Sequence, residues 1–524
     1  MLDPVFTALV TSSLYPKAVS TLPNGFGQAL NTTSQQFNSD QGDIKIDFDP
    51  SERDRFFGRY SKGDQYDPLT NSVALLGNTV NEAYIQSGVI NWTHTFSPNL
   101  LNEARVGLNW TKLPHGLTTF NSSVGKLGDQ IGIANGNPNG LIGLPLMSFG
   151  GGSGTNPNTG TLANLGSAGV TEKFSSTVEQ FTDNLIYTHG RHAIKAGYQM
   201  NYYKINVFYS GNGGELGILI YGLGPGGNYS GNGSTTATTG DPSADWALGL
   251  PQTVARGTST GGWHQRDWLF AGYVQDDWRV TDDLTLNIGL RYEARTPWIE
   301  QNDRQVGVNM FTGNLEYPGH VAVQGVGSNG FSRGLYKSVY GLPDFQPRIG
   351  FAWSPASMGH KTVFRGAFTM SSYLEGTGTN LSLTQNPPFT PAQVEAQNVA
   401  TGSSFNTGSS FASAAPPGGD PFIGATMLTW DPTVQPAIAQ QWNFSIQREI
   451  ANNTTFQIGY VGQHTTHLMV PEWLKQGDLH PDGTITYPYI GGQNLPGVNG
   501  STAESPTYGP NGFGNVKDTA SNGN

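Results

Sequence analysis

Segments that alternate apolar and polar residues come in pairs along this chain, and the connections between them alternate in length. Within a pair a few residues suffice; between pairs stand long stretches rich in Gly, Ser and Asn. Alternation with period two puts the apolar residues of a strand on one face and the polar residues on the other. Tight connections at one end and long ones at the other are the pattern of an antiparallel barrel crossing an outer membrane, with short periplasmic turns and large outer loops. The fold expected is therefore all-β: an antiparallel transmembrane β-barrel with long extracellular loops.

The clearest pair runs from Arg266 to Arg295. Leu284, Leu286, Ile288, Leu290 and Tyr292 share one face of its second strand, and Thr285, Asn287, Gly289, Arg291 and Glu293 the other. A one-residue slip would turn Arg291 toward lipid, at roughly 2–4 kcal/mol near the midplane, so the register is strongly specified. In the first strand Trp268, Phe270, Val274 and Trp278 share a face expected to meet lipid, with Leu269, Ala271 and Tyr273 opposite. Trp at both ends suits the aromatic girdles of a membrane barrel. Further pairs place Ile90, Trp92 and Phe96 before Ala104 to Trp110, and Leu185 and Tyr187 before Ile194 to Tyr202. Ile349 to Trp353 lead into Phe364 to Met370, and Trp442 to Ile446 into Phe456 to Tyr460. A weaker pair joins Ile44, Ile46 and Phe48 to Phe56 through Tyr60. The total is about twelve strands, an even number as in bacterial barrels, read as part of a larger barrel. Long outer connections are expected near 62–84, 112–178, 209–265, 297–345 and 374–437. The chain divides accordingly into an N-terminal loop segment (1–42), a barrel region (43–464) and a loop-rich C-terminal segment (465–524).

Composition narrows the function. Only 12% of the 524 residues are charged, against about a quarter in soluble domains, while Gly reaches 71 and aromatics 11%. There is no cysteine, which excludes disulfides and thiolate metal sites. A net charge of −11 argues against general nucleic-acid binding, because phosphates would go unneutralised. No run of about 18 apolar residues marks a transmembrane helix, which leaves barrels untouched because only every second barrel residue is apolar. Met1-Leu2-Asp3-Pro4 has neither the basic nor the apolar region of a signal peptide, and the C-terminus reads as the middle of a loop. A fragment of a longer polypeptide is the expectation.

Several segments resemble the TonB-dependent outer-membrane transporters, in particular the Oar-like group. They are Tyr273-Val274-Gln275-Asp276-Asp277-Trp278 and Leu284-Thr285-Leu286-Asn287-Ile288-Gly289-Leu290-Arg291-Tyr292-Glu293, with Phe56-Phe57-Gly58-Arg59-Tyr60-Ser61 and Phe345-Gln346-Pro347-Arg348-Ile349-Gly350-Phe351. Of these, Tyr273, Gln275, Asp276, Asp277 and Trp278 form the signature hairpin strand. The resemblance implies a barrel of about 22 strands, an N-terminal plug, an N-terminal regulatory-like domain in Oar-like members, and import driven by TonB–ExbB–ExbD. This sequence holds no recognisable TonB box, plug or regulatory-like domain, so those partners are expected only of a complete protein.

The residues of most interest are the charges expected to face the lumen: Glu103, Arg105, Lys195, Arg291, Glu293 and Arg365. They are read either as contacts for a plug or passing solute, or as a ladder of mutually satisfied charges on a wet wall, the second being favoured for any single residue. Tyr221, Tyr229, Trp263 and Tyr336 are candidate ligand-contacting aromatics of the outer loops. His189 with His192, and His464 with His467, lack a third converging ligand and read as solvated positions rather than a metal site. Asp276, Asp277, Asp282 and Asp283 read as solvated turn carboxylates, and Gly222 to Gly227 as a flexible loop rather than a phosphate cradle. No nucleophile elbow, catalytic triad or zincin motif is present, so neither enzyme activity nor a cofactor is expected. The expected function is binding and import of an unidentified small molecule, oligosaccharide or peptide at the cell outer membrane. A passive porin- or adhesin-like barrel is the alternative. A secreted carbohydrate-binding β-protein is a third reading, disfavoured by strand length because soluble sandwich strands run nearer five or six residues.

Overall fold

The computed structural model describes residues 2–149, 162–221, 242–308, 344–373 and 435–468, apart from 24, 26, 34, 212, 252 and 258–260. It also describes short pieces at 315–318, 333–335, 383–386, 388–389, 396–397, 406–411, 429, 478–479 and 485–486. Twelve strands form one antiparallel meander in which each strand pairs with its neighbours in the chain. They are β1 (Asn38–Phe48), β2 (Asp54–Leu69), β3 (Asn78–Ser97), β4 (Leu100–His115), β5 (Glu172–His189) and β6 (His192–Tyr209). The series continues with β7 (Trp263–Arg279), β8 (Leu284–Arg295), β9 (Phe345–Trp353), β10 (Thr362–Tyr373), β11 (Ala437–Ala451) and β12 (Thr454–Thr466). Among the described residues the outer edges of β1 and β12 have no partner strand.

The connections alternate as the sequence requires. At one end the turns span 49–53, 98–99, 190–191, 280–283, 354–361 and 452–453. At the other they span 116–171, 210–262, 296–344 and 374–436. One expectation fails: the first outer connection is only 70–77, because β2 and β3 run on through Ser61–Pro68 and Val80–Tyr84. Those residues are too polar to meet lipid, so they read as loop. Above the membrane both faces of a strand are wet, and ladder hydrogen bonds hold it without any apolar face.

The apolar faces are bare. Ile44 is 66% exposed, Ile90 65%, Ile349 56% and Ile458 59%, with Ile288, Leu290, Val106 and Val274 on the same surface. A continuous apolar surface of this extent is an interaction face, here toward hydrocarbon. Aromatic rings border it at both levels. At the turn end Phe56 stacks on Trp92 at 6.1 Å, His192 on Trp278 at 5.3 Å, and Trp353 meets Phe364 at 5.4 Å. Toward the other end Tyr202 stacks on Trp268 at 4.1 Å and Tyr292 packs on Phe345 at 4.7 Å. Trp268 and Trp278 lie ten positions apart on β7. At about 3.4 Å per residue and a tilt of about 40° that separation is roughly 26 Å of depth, close to the apolar band of about 25 Å in outer-membrane barrels.

The long connections and the N-terminal segment build a folded cap. Helix Pro4–Val10 is capped by Asp3, whose Oδ1 accepts from the amides of Val5 (2.9 Å) and Phe6 (3.0 Å). Strands Leu146–Phe149, Ile218–Tyr221, Thr253–Ala255 and Ala396–Gln397 form a four-stranded sheet. Leu9, Leu75, Ile133, Leu144, Met147, Leu219 and Tyr221 are buried beneath them. Phe6 and Phe149 meet Trp246 at 4.7 and 5.2 Å. Segments distant in sequence thus share one core, which no local periodicity announces.

Candidate binding surface on the inner wall

Strict alternation assigns every strand residue to a face once the outward set is known. The polar set, Asn91, Glu103, Arg105, Lys195, Gln199, Tyr273, Gln275, Asp277, Asn287, Arg291, Glu293 and Arg365, lies on the inner wall. Each of the six expected lumen charges has a partner on that wall. Arg105 bonds Glu103 at 2.8 Å and donates to Asn91 Oδ1 at 3.2 Å. Lys195 reaches Asp277 at 3.5 Å. Arg291 pairs with Glu293 at 2.7 Å and donates to Gln199 Oε1 at 3.0 Å. Arg365 donates to Gln447 Oε1 at 2.7 Å. Partly exposed pairs of this kind contribute about 0–1 kcal/mol each, so their main effect is to order the wall.

The signature strand splits across the two faces. Tyr273, Gln275 and Asp277 point inward, and Asp276 and Trp278 outward. Asp277 Oδ1 accepts from Asn287 (2.7 Å) and Gln275 (3.2 Å). Asp276 instead meets His192 Nδ1 at 2.6 Å beside Trp278. The four aspartates expected as one solvated cluster are therefore not one group: adjacent strand residues cannot share a face. Tyr273 lies over Gly197, where an added Cβ would come within 2.5 Å of its ring, and donates to Asn184 Oδ1 at 2.8 Å. Gly197 is thus required by the ring, which replaces the missing side chain in covering the backbone.

Two aromatics expected to touch ligand do not reach solvent. Tyr221 and Trp263 are fully buried, Tyr221 in the cap core with its hydroxyl 2.9 Å from Thr407 Oγ1. Burial pushes the Tyr221 phenol up from its ordinary value. Trp263 joins Ile205, Val207 and Trp298 in a second apolar cluster at the outer end of the inner wall. There the connection after β8 folds inward. Glu300 anchors it, accepting from the amides of His264 (2.8 Å), Asn302 (2.7 Å) and Arg304 (2.9 Å). Asp267 and Arg295 pair at 2.5 Å beneath it. In the cap, Arg256 lies 3.8 Å over Phe411 and donates to Leu216 O, and burial holds its guanidinium down at about 10. Tyr229, Tyr336 and Gly222 to Gly227 lie outside the described residues. His189 stacks on Tyr187, and His464 faces outward on β12; among the described residues no three His, Asp or Glu gather as a metal site.

Sequence reasoning passed over Arg348 and Gly289. Arg348 projects inward from β9 directly opposite Gly289 of β8. It is exposed and, among the described residues, has no hydrogen-bond or ion-pair partner. Its position was readable, because Ile349, Phe351 and Trp353 face lipid.

A two-faced meander with a polar inner wall, aromatic borders and a folded outer cap defines an outer-membrane β-barrel protein. The chain belongs to the family described as outer membrane beta barrel domain, which matches residues 1–524. No curated protein matches it. Among solved structures it is similar to the outer membrane transporter YddB from Escherichia coli, at 10% identity and a TM-score of 0.43, covering 83% of this chain and 41% of that one. It is also similar to the ferripyoverdine receptor of the outer membrane of Pseudomonas aeruginosa (11% identity, TM-score 0.42, 82% and 42% covered). The ferric-catecholate import receptor Fiu of E. coli gives 10% identity and a TM-score of 0.41, with 86% and 53% covered. The chain spans about two fifths to one half of the length of these structures. The cell outer membrane is accordingly its location.

Proposed function

We propose that this chain supplies barrel wall and outer cap to a TonB-dependent receptor that binds a solute outside the cell and admits it along the polar inner wall. The observation that carries the reading is the pairing of that wall with an ordered, apolar-cored cap on the long outer connections. A cap with its own core presents a shaped surface, as recognition demands, where a simple pore needs only short rims. A wide passive pore is also disfavoured by the cluster of Trp263, Trp298, Ile205 and Val207 over the outer end of the inner wall. Within this reading the barrel region, expected over 43–464 with flanking segments 1–42 and 465–524, takes in the strands from Asn38 to Thr466, and Glu103, Arg105, Lys195, Arg291, Glu293 and Arg365 line the route. Tyr273, Gln275 and Asp277 brace it. Coupling to TonB–ExbB–ExbD belongs to the complete protein, and a small molecule, oligosaccharide or peptide is the solute. The narrower Oar-like grouping rests on the sequence segments alone. The test is fractionation of the full-length gene product in a host with an outer membrane: recovery in the outer-membrane fraction, extractable only with detergent, is expected, and recovery as a soluble protein overturns the proposal.

A further inference from the structure

The inner wall has a cleft of about 260 Å³ at mid-depth, whose lining includes Lys195, Tyr273, Gln275, Gly289, Arg291 and Arg348. Tyr273 is the midpoint between the two tryptophans that border the apolar band on β7. The cleft exists because of Gly289. It stands between Gln275 and Arg348 on the neighbouring strands and gives the wall no side chain at that point. An added Cβ there would already lie 3.3 Å from Gln275 Cβ.

Three cations converge on this hollow against two carboxylates. Lys195 is held loosely by Asp277 at 3.5 Å, and Arg291 is paired with Glu293 at 2.7 Å. Arg348 is exposed and has no partner among the described residues. A guanidinium is a planar fork matched to a carboxylate, and the exposed fork of Arg348 is open to one. We infer that the cleft is a binding site for a carboxylate-bearing small solute. Arg348 makes the bidentate contact, Lys195 and Arg291 add positive field, and the Tyr273 ring forms a wall. The inference rests on the reading of a wet lumen and adds the chemical class of what is bound there.

The test is equilibrium dialysis of the full chain in detergent micelles against radiolabelled citrate at low ionic strength. Arg348→Gln should lower the association constant at least about tenfold, the scale of one charge-assisted hydrogen bond. Arg348→Lys should restore part of it. Gly289→Val, which fills the hollow without changing charge, should weaken binding comparably. Lys45→Gln, on the same wall but paired with Asp47 on β1, should bind as the parent does. Near-ultraviolet circular dichroism confirms that each variant is folded. Absence of citrate binding by the folded parent overturns the inference, as does equal binding by Arg348→Gln and Gly289→Val. So does an equal loss in Lys45→Gln, which would mean diffuse attraction to the wall. Failure here with the chain still in the outer-membrane fraction rejects the site alone; a soluble chain rejects the receptor reading.

Discussion

Leu290 and Ala367 offer a direct test of which face meets lipid. Leu290 faces outward on β8 opposite Val274, four positions above Trp278 in a band ten positions deep. At about 3.4 Å per residue and a tilt of about 40°, that is roughly 10 Å above the lower border and about 3 Å from mid-depth. Leu290→Lys should therefore cost roughly 2–4 kcal/mol, the full midplane value. Ala367 faces inward on β10 between Gly350 and Asn443, with no charge directly opposite. Ala367→Lys puts the same ammonium into the wet lumen and should stay within about 0.5 kcal/mol, like a surface substitution. Equilibrium unfolding by guanidinium in lipid vesicles, followed by tryptophan fluorescence, measures both. Similar losses in the two variants, or a neutral Leu290→Lys, would refute the facial assignment and with it the membrane reading.

Three further outcomes follow from the geometry. Tyr221 is buried and its phenol is raised, so the folded cap favours the protonated form; that stability is complete below pH 10 and is lost as pH climbs above it. Absorbance at 295 nm should show a late tyrosine ionisation coupled to cap opening, and Tyr221→Phe should remove that coupled step. Glu300→Ala leaves the amides of His264, Asn302 and Arg304 without their acceptor, a loss of about 1.5–3 kcal/mol at least locally, visible as faster hydrogen exchange at Asn302 and Arg304. The chain has no cysteine, so Lys45→Cys combined with Cys at inward positions of β12 such as Gln457 gives a clean cross-link assay; no intramolecular disulfide is expected, because β1 and β12 do not pair.

What the sequence revealed and what it hid divide along one physical line. The transmembrane strands were legible because lipid on one side and water on the other force period two, and the short turns fix neighbouring strands together. Facing could be read even in the uneven strand from Trp268 to Trp278, whose four apolar members share the outward surface. Beyond the membrane that contrast vanishes, and strand length was underestimated in β2 and β3. The cap was invisible for a different reason. Its core joins Leu9, Leu75, Leu144, Leu219 and Phe411, residues far apart in the chain, so Tyr221 and Trp263 looked like exposed recognition residues. On the inner wall the charges were readable but their partners were not, since Arg291 to Gln199 spans β8 and β6, two strands apart across β7.

Wall and cap constrain one another. Arg291, Arg348 and Lys195 stand at a depth where the hydrocarbon would penalise each by roughly 2–4 kcal/mol if it faced outward. They are tolerable only with water or polar protein before them, which makes a hydrated interior a condition of the fold. Trp263, Trp298, Ile205 and Val207 require the reverse at the outer end, where the connection after β8 excludes water from the same wall. One face of the sheet therefore passes from dry and apolar near the cap to wet and cationic at mid-depth.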